Sequence, residues 1–553
     1  MYELSFWVNL YSNVLKWLIS LILGISVATP MPAYDFIEPT GDTLDVTVMS
    51  YNVYIAGIGK KSPENRSKLV AKTIRSEMPD SFGLQEADID WVNRISEAFP
   101  EYAWAGVGRD DGKDGGEFSP VFYLKDKYTL VDSGTFWLSE TPDTPSKGWD
   151  ARYNRICTWV ILEEKESGNR YAHFNAHMDH IGAEARANSA DLIVEKASAL
   201  DIPVVVTGDF NTDEGTEPYN TMIAGGFMDT KYAAADTMSM GTYHNFGMKN
   251  VEKKGASPID FIFVSYAKAQ VESYKVLGGK VDGAYSSDHY PVVSKMKLCY
   301  ENLSETGLRV MSYNLRFRDP LTRLQELTDV IATVQPDVIG TQEGTPDWMH
   351  LLTTEYNGVY AHVGVGRDDG ENLGEHSAIF YRIDKYSVVD SGTFWLSLTP
   401  EVPSKDWDSA CNRICTWAVL ESKADGKQFA VLNTHLDHVS VEAIKNQAKI
   451  VIDKADTFDI PVVITGDFNA TDDSEAIRSV IDRGYVDTRA AAPVTDYSGT
   501  YNGYEEGRDD YERIDYCFIN NGFTVDKYDV MDGIYASDHF AIYADLKFAE
   551  EQK

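Results

Sequence analysis

The chain contains one domain's worth of sequence twice. Gly134-Thr135-Phe136-Trp137-Leu138-Ser139 returns as Gly392-Thr393-Phe394-Trp395-Leu396-Ser397, and Asn154-Arg155-Ile156-Cys157-Thr158-Trp159 returns as Asn412-Arg413-Ile414-Cys415-Thr416-Trp417. Val107 to Gly112 returns as Val365 to Gly370, so the offset through this middle part is a constant 258 residues. A period that long means duplicated domains and excludes a solenoid. Copy one is read as 44–298 and copy two as 308–548, with a short polar join from Cys299 to Gly307. So short a linker predicts that the two domains pack together.

Within each copy, strand and helix signals alternate. Leu44 to Tyr51 alternates apolar and polar residues, which predicts a strand from Leu44 to Asn52. Asn65 to Met78 carries apolar residues at helical spacing, and Ser81 to Gln85 reads as a short strand. A second helix is predicted over Ala183 to Leu200. It leads into the apolar run Ile202-Pro203-Val204-Val205-Val206, a buried strand that ends in Thr207-Gly208-Asp209-Phe210-Asn211. The same run returns as Ile460 to Ile464 followed by Thr465-Gly466-Asp467-Phe468-Asn469. The mixture is that of an α/β domain whose sheets are covered by helices.

Polar residues gather at the predicted strand ends. Copy one has Asn52, Glu86, the run Asn175-Ala176-His177-Met178-Asp179-His180, Asp209 with Asn211, Asp260, and Asp288-His289. Copy two has Asn314, Glu343, the run from Asn433 through His435 and Asp437 to His438, Asp467 with Asn469, Asp515, and Asp538-His539. On an extended backbone Asp209 and Asn211 point to one side. A carboxylate beside a carboxamide can hold a water aimed at phosphorus. The same alternation puts Asn175, His177 and Asp179 on one face, with His177 toward the common centre.

These residue types suit metal-assisted phosphoester hydrolysis. A hard cation takes oxygen ligands, commonly one or two carboxylates with water and substrate phosphate. Glu86 and Glu343 are the leading ligand candidates, with Asn52 and Asn314 adding an amide oxygen or a phosphate contact. Taken singly, each residue has a structural explanation: a Glu after a strand is a cap, and a His near an Asp is a hydrogen bond. Recurrence of the whole set in two copies favours a site. No Cys-x-x-Cys zinc pattern, Gly-rich phosphate loop or Gly-x-Ser-x-Gly elbow is present.

Ser-Tyr-Asn, Gln-Glu, Asn-Thr-His-Leu-Asp, Gly-Asp-Phe-Asn and Ser-Asp-His, in this order, resemble the endonuclease/exonuclease/phosphatase superfamily. That group includes deoxyribonuclease-I-like nucleases, inositol polyphosphate 5-phosphatases and bacterial neutral sphingomyelinases. The resemblance implies a four-layer α/β sandwich in each copy, with two packed central β-sheets flanked by helices. It implies Mg²⁺, or Mn²⁺ in its place, held mainly by Glu86 and Glu343, with Asn52, Asn314, Asp288 and Asp538 beside it. It implies that Asn52, Asn211 and His177 contact phosphate, that Asp209 orients or deprotonates the attacking water, and that Asp260 orients His289. In copy two the same roles fall to Asn314, Asn469, His435, Asp467, Asp515 and His539. Some relatives carry an acid two residues after the first Asn. Tyr54 and Arg316 stand there in this chain, which puts a second metal ligand at that place in doubt. The copies differ again at Phe118 against His376, where His376 is a candidate substrate contact of copy two alone.

Charge and the N-terminus bear on substrate and location. The net charge of −36 argues against non-specific nucleic-acid binding, which draws its affinity from phosphate neutralisation. Lys16 precedes an apolar run from Trp17 to Ala28 that closes on Ser26-Val27-Ala28. Residues 1–33 therefore read as a signal peptide, in preference to a membrane anchor, with a loose lead-in. The expected location is secreted or cell-surface, and membrane contact is expected only through that segment or a lipid substrate. The five cysteines, Cys157, Cys299, Cys411, Cys415 and Cys517, form no disulfide framework and are read as free thiols. The function expected is an exported Mg²⁺-dependent phosphodiesterase or phosphatase acting on a small or lipid-linked phosphoester. The alternatives are an extracellular nuclease and a binding protein with one inactive copy.

Overall fold

Two patterns of strand build two sheets in each copy. The computed structural model describes residue 34 and residues 41–55, 61–252, 256–301, 307–508 and 510–549. The leader expected over 1–33 lies outside them. Strands such as Val204–Asp209 and Val462–Asp467 are buried along their whole length, as strands covered on both faces must be. Others, such as Tyr128–Trp137, are buried only toward their ends.

Copy one has a seven-stranded sheet in the order 234–238, 269–276, 292–299, 43–52, 81–85, 121–124, 102–105. Its second sheet has six strands in the order 128–137, 156–164, 170–177, 204–209, 260–265, 227–229. Copy two repeats both among the described residues, with 308–314 and 338–342 at the centre of one sheet and 428–435, 462–467 and 515–519 in the other. Helices Pro63–Glu77 and Ile89–Ala98 flank the first sheet of copy one, and Ala183–Ser198 flanks the second. The architecture is the sandwich of two packed sheets between helices that the family resemblance implied.

The sheets meet through a polar seam. Asn175 donates to the carbonyls of Leu84 and Pro120 at 2.8 and 3.1 Å, and its Oδ1 accepts from Gln85 Nε2 at 2.7 Å. Asn433 repeats this in copy two. A Cβ at Gly83 would lie 2.2 Å from Asn175 Oδ1, so only glycine lets the sheets approach this closely.

The register then fixes the site. Asn52 pairs with Gln85 in the first sheet, so Asn52 and Glu86 emerge side by side. Asp209 pairs with His177 on one flank and with Asp260 on the other. Copy two pairs Asn314 with Gln342, and Asp467 with His435 and Asp515.

The copies touch. Lys423 Nζ donates to the Ala224 carbonyl and Asn357 Nδ2 to the Gly215 carbonyl, each at 2.7 Å. Ala424 of copy two packs into the apolar core of copy one. Arg382 lies 5.2 Å over the ring of Tyr34. Cys157, Cys415 and Cys517 are buried free thiols, Cys299 is buried, and Cys411 is half-buried. Among the described residues no helix is long and apolar enough to cross a membrane.

Candidate active site

In copy one, Asp209 is the hub. Its Oδ2 accepts from Asn52 Nδ2 at 2.8 Å and lies 3.7 Å from His177 Nε2 and 3.8 Å from His289 Nε2. Its Oδ1 accepts from the backbone N–H of Asn211 at 2.9 Å. In copy two the corresponding distances around Asp467 are 3.0 Å to Asn314, 3.4 Å to His435, 3.7 Å to His539 and 2.9 Å to the Asn469 amide.

Asn211 reaches this place by a different route from the extended backbone expected. The strand ends at Asp209, and Asn211 takes a left-handed conformation with φ 50°. Its carboxamide N–H donates to the Met178 carbonyl at 3.1 Å, and its main-chain N–H serves Asp209. The turn, rather than side-chain alternation, places the residue. Alternation also fails beyond His177, where the strand stops. Asp179 turns away and accepts from the amides of Ile181 and Gly182, while Asn175 belongs to the inter-sheet seam.

Glu86 and Glu343 also sit at left-handed φ, 55° and 57°. Strained backbone of this kind persists where the surroundings over-determine it, and it clusters at functional sites. Glu86 accepts from Asn52 Nδ2 at 3.1 Å and from the Ile55 amide at 3.1 Å. Glu343 does so from Asn314 at 3.2 Å and the Phe317 amide at 2.8 Å. Ser287 bonds the Asn52 carbonyl at 2.7 Å and brings Asp288 to the same edge. Ser537 does the same at Asn314, at 2.7 Å. Burial pushes the Asp288 carboxyl up to about 6, and the charge of Glu86 adds to that push. Two carboxylates that repel across a half-open edge are a donor set for a hard cation.

The ligand atoms of another set converge: Asp209, Asp260 and His289 lie within 4.8 Å of one another, and Asp467, Asp515 and His539 likewise. Here Asp260 Oδ2 is already taken by His289 Nδ1 at 2.8 Å. Burial opposes charge on this imidazole, yet Asp260 and Asp209 hold it up at about 10. The oxygen atoms of Glu86, Asn52 and Asp288 are the ligand type that a hard cation takes. His539 is held up to about 10 by Asp515 and Asp467 in the same way. Burial drives His177 in the opposite direction, to about 3, with Arg155 adding to the effect. Burial lowers the pKa of His435 as well, so each site pairs one depressed and one elevated imidazole.

Arginines complete the site, although their repeated motifs were not assigned to it from sequence. Arg109 bonds Glu117 at 2.6 Å, and Glu117 lies 3.6 Å from His177 Nδ1. Arg155 is 4% exposed and Arg413 3%. Arg155 Nη1, and Nε and Nη1 of Arg413, have no hydrogen-bond partner among the described residues. Arg155 Nε lies 3.3 Å from Asp179 Oδ2 and its Nη2 3.0 Å from His180 Nδ1, which fixes the guanidinium beside the site. The return of Asn-Arg-Ile-Cys-Thr-Trp at the same offset was the sequence signal for them. His376 is buried with Nδ1 3.0 Å from the Gly344 carbonyl, and Phe118 holds the matching buried place in copy one.

Two packed sheets with Asn, Glu, Asp and two His converging at their strand ends define the class of α/β phosphoester hydrolases. The chain belongs to the Endonuclease/Exonuclease/phosphatase family, whose model matches residues 49–289 and again 311–539. A solved member of that family from Bacteroides thetaiotaomicron is 37% identical, with 47% of this chain and 99% of that one covered and a TM-score of 0.45. The mannosyl-6-phosphatase of the same organism is 38% identical, with 45% and 99% covered and a TM-score of 0.43. The 3'-5'-exoribonuclease subunit Ccr4 of the CCR4-Not complex from Emericella nidulans is 24% identical over 40% of this chain and 45% of that protein. The chain spans between 37% and 66% of the length of the curated relatives it matches.

Proposed function

We propose that the protein is an exported, Mg²⁺-dependent phosphoester hydrolase with two active sites, acting on a small or lipid-linked phosphoester. The observation that carries this reading is the hub carboxylate. Asp209 and Asp467 each lie within reach of one Asn, two His and one backbone amide, in nearly the same geometry.

In that geometry Asp209 orients a water and takes its proton as the oxygen bonds to phosphorus, while the ester P–O bond opposite breaks and its oxygen leaves as the alcohol with a proton from solvent. The amide of Asn211 and the carboxamide of Asn52 hold the carboxylate in place. The imidazolium of His289, fixed by Asp260, donates to a phosphoryl oxygen. Arg155 and Arg109 supply positive charge beside the neutral His177. Glu86, Asn52 and Asp288 would hold the Mg²⁺, or Mn²⁺, which when bound offsets the charge that builds on phosphate oxygens. Glu343, Asn314 and Asp538 take that part in copy two. Export rests on the reading of residues 1–33.

An extracellular nuclease is the second reading, favoured by the matched exoribonuclease subunits. The net charge of −36 weighs against it. A panel of phosphomonoesters, phosphodiesters, lipid phosphoesters and single-stranded RNA, assayed with Mg²⁺ and with EDTA, tests both. Turnover of a small or lipid-linked ester that EDTA abolishes is the expected result. Hydrolysis of RNA alone would overturn the first reading.

A further inference from the structure

The copies share their reacting groups and differ at the rim of the site. Two residues after the active-site Asn stands Tyr54 in copy one and Arg316 in copy two. Both residues are left-handed, at φ 57° and 56°. Both donate their backbone N–H to the Asn carboxamide oxygen, at 3.0 and 2.9 Å. An arginine of the following helix clamps each loop. Arg66 holds the carbonyls of Val53 and Tyr54, and Arg323 those of Leu315 and Arg316. The backbone is the same, and the side chain alone has changed.

The facing position changes with it. Phe246 in copy one and Tyr504 in copy two are again both left-handed, at φ 53° and 60°. Tyr54 and Phe246 meet edge to face with ring centroids 5.2 Å apart. In copy two the Arg316 guanidinium lies 4.5 Å over the Tyr504 ring, and its Nε is 3.7 Å from Asp538 Oδ2. That separation exceeds a hydrogen bond, so the guanidinium is poised beside the carboxylate without being committed to it. Lys61, the cation of the copy-one loop among the described residues, is exposed and lies 4.2 Å over the Phe246 ring. Among the described residues Asp288 has no lysine or arginine ion pair.

We propose that copy two selects dianionic phosphomonoesters through Arg316, and that copy one selects monoanionic phosphodiesters whose second organic group rests on Tyr54 and Phe246. This deepens the phosphoester reading and rests on it. A phosphomonoester carries up to about two negative charges near neutral pH, and a diester carries one. A guanidinium fork matches the oxygens of the more charged group. An aromatic wall offers area to an organic substituent and no charge.

The test is calorimetric titration of the full chain with Mg²⁺ present. Inorganic phosphate serves as the dianion and dimethyl phosphate as the monoanion, for wild type, Arg316→Tyr, Arg316→Lys and Tyr54→Arg. Wild type is expected to show one tighter phosphate site. Arg316→Tyr should weaken that site about tenfold and leave dimethyl phosphate unchanged, because a charge-assisted hydrogen bond is lost. Arg316→Lys should recover part of the loss, and Tyr54→Arg should tighten phosphate at copy one. If Arg316→Tyr misfolds, the gain from Tyr54→Arg carries the test alone. Phosphate binding unchanged by either rim substitution overturns the assignment. Binding of neither anion by wild type removes the phosphoester reading itself.

Discussion

His289 Nδ1 lies 2.8 Å from Asp260 Oδ2, and His539 Nδ1 lies 2.8 Å from Asp515 Oδ2. In each pair the second carboxylate oxygen has no partner among the described residues, so the carboxylate is devoted to the imidazole. Such a pairing fixes the ring's orientation and leaves Nε2 directed at the hub Asp. Asp260→Asn removes the charge and keeps the shape. In a chain whose copy two is silenced by Asp467→Asn, it should lower kcat/KM by about 10²-fold, the scale of positioned acid–base help. Steady-state kinetics on any turned-over phosphoester measures this. Activity within twofold of the parent would leave the dyad a structural pair.

The metal prediction concerns Glu86 and Glu343. Each sits at strained φ with one oxygen on Asn and one on a backbone amide. Glu86→Gln and Glu343→Gln should each remove one Mg²⁺ equivalent from a calorimetric titration. A ligand that binds only the native state raises Tm, so the double variant should also lose the Mg²⁺-dependent rise. Two equivalents bound by the double variant would move the metal elsewhere.

Much of this site could be read from the sequence because it lies at strand ends, where a register fixes a side chain's height. Asn52, Glu86 and Asp209 follow apolar runs and Asp260 precedes one, and the sheets bring those ends together. Asn211 was misplaced in its local geometry because periodicity describes strands and stops at a left-handed turn. Arg155 was visible only as part of a repeated motif. Its role depends on burial and on long-range placement beside His177, neither of which spacing encodes. The partnership of His289 with Asp260, rather than with its neighbour Asp288, is a long-range contact that the resemblance implied and residue spacing alone did not.

Two active copies predict additive losses. The hub Asp is equivalently placed in both, each in its own pair of sheets and with its own Asn and His neighbours, and losses at sites that share no partners add. Asp209→Asn and Asp467→Asn should each remove the share of turnover belonging to one copy, and the double variant should lose nearly all of it. If either single variant already equals the double, the other copy is a binding or scaffold module.

Acid should open copy one before copy two. His173 is buried with Nδ1 2.8 Å from Ser81 Oγ and Nε2 2.8 Å from Thr207 Oγ1, and Tyr171 bonds the same serine at 3.0 Å. Copy two places Val431, Val338 and Phe429 at the matching positions, all apolar. Burial lowers the His173 pKa to about 3. The folded value is depressed below the unfolded value of about 6.5. The contribution to stability is therefore complete above about pH 6.5 and is lost as pH falls toward 3. The slope is about 1.4 kcal/mol per pH unit over that window. Amide hydrogen exchange on the full chain, read peptide by peptide from pH 7 to pH 4, should show protection falling in the strands of copy one first. The triple substitution Ser81→Val, Tyr171→Phe and His173→Val should remove the difference. Equal loss of protection in both copies of the wild-type chain would place the acid-sensitive group outside this seam.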